Sequence, residues 1–329
     1  MSEIQEKITK LNNKGVQFFM AGKFPEAEKE YQKALEIESG HATTLNNLGM
    51  LKLQQKEFET ALSLFDKALS EVEKPVYYLN KGHAYANLNK LNEAEKNYRK
   101  CIELDAKHVM GWVSLAKLYN ATGHFRQAVS HWKKAIQIEE NPEFLTELAK
   151  SLINAGELNE AQTVLLRALE HGKNIDVISY YLGLAAFHQK NFGLAKSEVK
   201  KSLSEYPDNT TYRELLAAVF LGMGEFSSAV EEWKKILKLE PDNTKARTDL
   251  AVALLGNGFT KEAEKQLDSV LKLNPDYPKA LYYRGVLQSK TNPAEALKLF
   301  RKIAQTNSPY RKNAKIMMEN LNKNIDGGK

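Results

Sequence analysis

The chain has 329 residues, 43% of them hydrophobic and 27% charged, too apolar for a disordered polymer and too charged for a membrane-embedded one. Its longest near-continuous apolar run, the ten residues from Leu215 to Gly224, is about half of the ~20 that a bilayer-spanning helix requires. The net charge is +6, and it is gathered at one end: from Pro278 onward eleven basic residues face three acidic ones.

The start, Met1-Ser2-Glu3-Ile4-Gln5-Glu6, is acidic and lacks the basic and apolar stretches of a secretory leader, so the sequence reads as cytosolic. Ser2 and Gln5 have the spacing of a capping box, which makes 1–7 the extension of a first helix. From residue 8 a repeat takes over. An alanine returns at Ala27, Ala61, Ala94, Ala128, Ala161, Ala195, Ala229, Ala263 and Ala296, in steps of 33 or 34 residues. Nine copies follow, at 8–41, 42–74, 75–108, 109–141, 142–175, 176–209, 210–243, 244–277 and 278–308. Large apolar residues stand four positions after each alanine (Tyr31, Phe65, Tyr98, Trp132 and their counterparts) and compact ones seven after. Those offsets share one helical face, so each copy carries an amphipathic helix.

About twelve residues earlier stands a small residue: Gly15, Gly49, Gly82, Ala116, Ala149, Gly183, Ala217, Ala251 and Gly285. It centres another helix, whose apolar partners lie at −4, −1 and +3 from it, and its size permits a close crossing of the two helices. One helical hairpin per copy is predicted. Turn residues punctuate the hairpins at Gly22, Lys56, Asn89, Gly123, Gly156, Lys190, Gly224 and Gly258, where a left-handed helix end is expected. All nine prolines fall at predicted boundaries, as they must if they open helices and never interrupt them. Lys196, on the second helix of the sixth copy, is expected on the surface. After the last copy, 309–323 reads as a capping helix, which a repeat array needs over its final core face, and 324–329 as a frayed tail.

With these features the chain resembles the tetratricopeptide repeat (TPR) family over about residues 8 to 308. Trp112-Val113-Ser114-Leu115-Ala116-Lys117-Leu118-Tyr119 with Ala128, Trp132 and Ala135 fits the family pattern closely, and Pro207, Pro241 and Pro275 match its closing proline. Lys52 and Gln288 depart from it where an aromatic is usual, and the ninth copy is one residue short. The resemblance implies an all-α, right-handed solenoid of about nine hairpins whose first helices line a concave groove that receives a partner peptide. The related pentatricopeptide family has a longer repeat and fits less well.

Counted from the small residue, positions −6, −3, +1, +4 and +5 of each first helix are expected to face that groove. In copies one to three this brings Asn12, Asn46, His83 and Asn87 to it, with Asn13, Asn47 and Asn80 stacked at −2. Carboxamides donate and accept, so such a row could hold a peptide backbone irrespective of its side chains. It resembles the asparagine-lined TPR superhelix of O-linked N-acetylglucosamine transferases. The carboxylate clamp of chaperone-binding TPR proteins is excluded, because its places are taken by Asn12, Val16, Asn47, Val76 and Asn80 and only Asn47 matches.

Copies four and five add Lys117, Asn120 and Lys150, and the two lysines could pair with a ligand carboxylate. Further on the lining turns apolar, with Tyr180, Leu184, Phe187 and Leu221. Either neighbouring helices or an apolar ligand must cover them. The seven histidines include no pair at the i,i+4 spacing of a metal site, and His124 and His131 are expected on the surface. Cys101, the single cysteine, takes the place of a packing alanine. No cofactor, metal or catalytic residue is called for.

The sequence therefore points to a non-enzymatic, cytoplasmic interaction module or scaffold whose partner is another protein or a peptide, with a homo-oligomer left open. Two alternatives stand beside it. One is binding of nucleic acid or an acidic surface through the basic terminal region, with Arg311, Lys312 and Lys315 as its core. The other is service as the regulatory subunit of a separately encoded enzyme.

Overall fold

Each copy of the repeat forms two helices joined by a tight turn. A computed structural model describes residues 2–326, with side chains to Lys323, as nineteen α-helices and no strand. The chain divides into two compact units, Met1–His171 and Gly172–Lys329. The first contains α1 (Glu3–Met20), α2 (Phe24–Ile37), α3 (Ala42–Gln54), α4 (Phe58–Glu71), α5 (Pro75–Asn87), α6 (Leu91–Leu104), α7 (Val109–Ala121), α8 (Phe125–Ile138), α9 (Pro142–Ala155) and α10 (Leu158–Leu169). The second contains α11 (Ile175–His188), α12 (Phe192–Glu205), α13 (Thr210–Met223), α14 (Phe226–Leu239), α15 (Thr244–Gly256), α16 (Thr260–Leu273), α17 (Pro278–Thr291), α18 (Pro293–Ala304) and α19 (Arg311–Asp326). Each unit is an all-α helical-repeat solenoid in which a hairpin packs on the next.

Local chemistry explains the boundaries. Ser2 caps α1 with its side chain on the Gln5 amide while Gln5 reaches back to the Ser2 amide, the capping box that the sequence suggests. Asn141, Asn209 and Asn243 cap α9, α13 and α15 in the simpler way. Within the hairpins, all eight residues singled out as turn residues have positive φ, from 56° at Asn89 to 83° at Gly156. Lys56 and Lys190 accept this left-handed backbone although glycine would adopt it at less cost.

The small residues make the crossing. A Cβ added to Gly183 would lie 2.6 Å from Val199 Cγ2, and one added to Gly49 would lie 2.6 Å from the Phe65 ring. Val199, Phe65 and Tyr98 occupy the space that Gly183, Gly49 and Gly82 leave, and all are buried. Where the usual aromatic is replaced by Lys52, its ammonium is held 2.9 Å from Glu28 and 3.4 Å from Glu57.

Three boundaries bear on the sequence reading. The array divides into two compact units between His171 and Gly172, a division that the repeat period does not mark. At that division the second helix α10 has 12 residues where most have 14, and Gly172 and Asn174 both turn left-handed. Residues 3–7 form the first turns of α1, capped by Ser2. At the other end α19 covers the core face left by α17 and α18, with Ala314 and Leu321 buried against Leu281, Leu297, Phe300 and Ile303. This helix runs three residues beyond the expected 323, because Asn324-Ile325-Asp326 holds no breaker before Gly327; residues 327–329 of the expected tail lie outside the described residues.

Candidate functional site: the first-helix faces

In both units first helices approach first helices across the repeat: α1 packs on α3, α3 on α5, α11 on α13 and α15 on α17. Among the described residues, no two second helices pack to that extent. First helices therefore line the inner side of each unit's curve, and the candidate residues can be placed on it.

In the first unit the asparagines come together, but they face one another. Asn12, Asn46 and Asn80 are each only 6% exposed. Asn47 Nδ2 donates to Asn12 Oδ1 at 3.0 Å, Thr44 Oγ1 donates to the same oxygen at 3.2 Å, and Asn80 Nδ2 donates to Asn46 Oδ1 at 2.8 Å. The expected peptide-holding row is thus largely consumed in fixing each first helix to the next. The reason is geometric: positions −3 and −2 of successive copies fall within reach of each other, and a buried carboxamide must be bonded. Asn13 is exposed and Asn47 half-buried. Asn87 bonds its own helix, donating to the His83 carbonyl at 2.9 Å. Asn120 Oδ1 is buried without a hydrogen-bond partner.

His83 stands half-buried between Ser114 Oγ, 3.0 Å from its Nε2, and the edge of the Tyr98 ring. Burial, with the nearby Lys117 ammonium, lowers its pKa below the ordinary histidine value. Lys117 itself is exposed. Lys150 is not a free cation beside it, because its Nζ lies 2.6 Å from Glu147 Oε1 one turn away. The polar face of this unit therefore offers Asn13, Asn47, His83 and Lys117, and of the two expected lysines Lys150 is engaged by Glu147.

In the second unit the lining gathers aromatic and aliphatic side chains beside paired charges. Tyr180 stacks on Tyr212 at 5.0 Å and meets Tyr181 edge-on at 5.0 Å. Leu184, Phe187 and Leu221 are half-buried and pack on the core around Leu216, Phe220 and Leu250. A cavity of about 360 Å³ opens here. Its walls are Tyr180 of α11, Leu215, Ala218 and Leu221 of α13, and Trp233 of α14; Thr211, Glu214, Lys245, Asp249 and Lys279 complete the lining. Tyr180 and Leu221 are thereby brought into one site, whereas Leu184 and Phe187 do not line it.

Two ion pairs link successive first helices at this cavity. Lys245 Nζ lies 2.5 Å from Glu214 Oε2, and Lys279 pairs with Asp249. Burial pulls the Lys279 pKa down, but the facing Asp249 carboxylate more than compensates, so it ends above the usual lysine value. None of these four charges was selected from sequence as a site residue. The signal was present, since Glu214 is at −3 and Lys245 and Lys279 are at −6, both groove-facing positions; a charged side chain there is easily read as solvated.

Away from the inner faces, three expectations resolve. His131 is half-buried, not on the surface: its ring stacks on Tyr119 at 5.2 Å beside a network in which Tyr119 Oη donates to Glu95 and accepts from Arg99. Burial and the Arg99 charge lower its pKa, with Glu95 opposing. Lys196 is also half-buried, 3.0 Å from Glu225 and over the Phe220 ring. Cys101 is fully buried, and burial raises its thiol pKa to about 11, so it is held as the thiol. On α19, Arg311, Lys312 and Lys315 are exposed and make no ion pair among the described residues. Among those residues no group of His, Cys, Asp and Glu side chains could hold a metal ion, and no helix is long and apolar enough to cross a membrane.

Comparison with known proteins agrees with this architecture. Family profiles described as tetratricopeptide repeats match residues 6–74, 76–108, 146–210 and 220–284, and one described as YpiA-like, C-terminal tetratricopeptide repeats matches 109–172. The TPR repeat-containing protein YpiA of Bacillus subtilis is 23% identical over 230 residues, which is 67% of this chain and 54% of that protein. The anaphase-promoting complex subunit CDC16 of Saccharomyces cerevisiae is 31% identical over 154 residues, 44% of this chain and 18% of that protein. The chain thus spans about half the length of the first relative and under a fifth of the second. Among solved structures, the C-terminal part of a TPR repeat-containing protein from Cytophaga hutchinsonii aligns with 72% of this chain and 98% of its own, with TM-score 0.60 and 19% identity. That likeness concerns the fold.

Proposed function

The chain belongs to the tetratricopeptide repeat family, and from that premise we propose that it is a non-enzymatic interaction module that holds segments of partner polypeptides against its first-helix faces. The observation that carries the reading is the cavity of the second unit, to which four successive first helices, α11, α13, α15 and α17, each contribute side chains. A site shared by four repeats suits an extended chain laid across them, and a preformed lining reduces the ordering cost of docking. The first unit offers a polar face to the same kind of ligand, with Lys117 and Asn13 exposed and His83 and Asn47 half-buried. The likeness to CDC16, named as a subunit of a complex, is consistent with a scaffold role.

A second reading rests on the exposed charges Arg311, Lys312 and Lys315 of α19, which would attract nucleic acid or an acidic surface. Partner capture by the wild type, by Leu221→Glu with Lys117→Glu, and by a variant with Arg311, Lys312 and Lys315 changed to glutamine separates the two. The groove reading expects loss in the first variant with helicity intact, and little change in the second. Binding that survives the groove changes, disappears with the terminal charges and falls steeply with salt would establish the alternative.

A further inference from the structure

We propose that the cavity of the second unit receives one large uncharged side chain, aromatic by preference, from the bound polypeptide, and that the two lysine–carboxylate pairs beside it turn charged side chains away. The inference rests on the groove reading above and specifies what that groove selects.

At about 360 Å³ the cavity is at the small end for a ligand site, suited to one side chain and its flanking backbone. Tyr180, Leu215, Ala218, Leu221 and Trp233 give it apolar walls. Tyr180 is already stacked on Tyr212, so an aromatic occupant would extend a ring stack that exists. The charges argue for neutrality. Glu214 and Asp249 are the deeper members of their pairs, with side chains 25% and 12% exposed against 60% for Lys245 and 27% for Lys279. A ligand cation would have to displace a lysine from its carboxylate. A ligand anion would have to draw Lys279 off Asp249 and leave that carboxylate buried and unpaired, which is costly. With both pairs closed the site carries no net charge to offer either.

Methyl-labelled leucine and alanine in the full chain provide the readout, by NMR titration with capped tripeptides acetyl-Gly-X-Gly-amide in which X is Phe, Ala, Lys or Asp, and with free benzamide as a non-peptide aromatic. The Phe peptide is expected to shift the Leu215, Ala218 and Leu221 methyls saturably and to bind at least about tenfold more tightly than the Ala, Lys and Asp peptides. It should also bind more tightly than benzamide. Ala218→Phe, which fills the cavity, should abolish the effect. Lys245→Met, at an exposed position, frees Glu214 and should raise the affinity of the Lys peptide alone. Equal binding of charged and aromatic peptides, shifts confined to other methyls, or an unchanged Lys-peptide affinity in Lys245→Met would overturn the proposal. Benzamide binding as tightly as the Phe peptide would overturn the polypeptide assignment. If the tripeptides fail while Leu221→Glu with Lys117→Glu still abolishes partner capture, the groove reading stands and this specificity falls.

Discussion

At the scale of single residues, the molecule spends many of its polar groups on holding one repeat to the next. Asn46 and Asn80 illustrate this, since each is buried and Asn80 Nδ2 donates to Asn46 Oδ1. Changing either alone to alanine strands a buried partner and should cost about 1–3 kcal/mol, whereas changing both should cost less than the sum. A double-mutant cycle by urea denaturation measures the coupling; strict additivity would mean that the 2.8 Å contact contributes nothing.

Protonation supplies a second residue-scale expectation. His83 and His131 both have folded-state pKa values below the usual 6.5. The unfolded chain therefore takes up the proton first, so their contribution is complete above about pH 6.5 and is lost as pH falls through that value toward the lower folded pKa. Melting temperature should drop between pH 7.5 and 5.5, and less so in His83→Gln with His131→Gln. An identical slope in that variant would contradict the assignment.

The same residues mark the limit of what sequence conveys. That Asn12, Asn46 and His83 lie on the inner side of first helices follows from spacing alone. That Asn12 and Asn46 are sealed against the next helix does not, because bonding partners depend on how far one hairpin is rotated on its neighbour. His131 and Lys196 depart from a surface position for the complementary reason: an aromatic ring or a carboxylate of the adjoining helix covers a polar side chain whose spacing alone places it in solvent.

At the scale of elements, the hairpin was legible almost completely, since its requirements are local. Turn positions filled by lysine or asparagine aligned with glycines and proved left-handed like them, at Lys56, Asn89 and Lys190. The crossing is the sharper test of the helix pairing. Gly183→Leu places carbon where Val199 already sits, 2.6 Å away for the first atom alone, and should destabilise by about 1–3 kcal/mol through overpacking. Lys200→Leu, at an exposed position of α12, serves as the control, with the denaturation midpoint as the measurement. Equal tolerance at both sites would mean that α11 and α12 do not cross at Gly183.

At the scale of the whole molecule, the division at residue 171 had no clear signature in the 33- or 34-residue rhythm, which continues across it. Its physical basis lies in the connection itself: residues 170–174 are all exposed and hold two left-handed residues in place of a proline turn. Limited digestion with trypsin should accordingly cut first after Lys173, giving fragments 1–173 and 174–329. Prior cleavage within a hairpin of either unit would contradict this boundary.

The central claim is that partner polypeptides lie on the inner, first-helix faces. A photoreactive amino acid placed in turn at Leu221 and Lys117, at the exposed second-helix positions Lys200 and Lys134, and at Lys315 of α19 tests it most directly, by identifying what each position captures in cells. The account predicts polypeptide adducts from Leu221 or Lys117 and none of comparable yield elsewhere. Adducts formed only from Lys200 and Lys134, or nucleic acid captured from Lys315 with nothing from the inner faces, would contradict it.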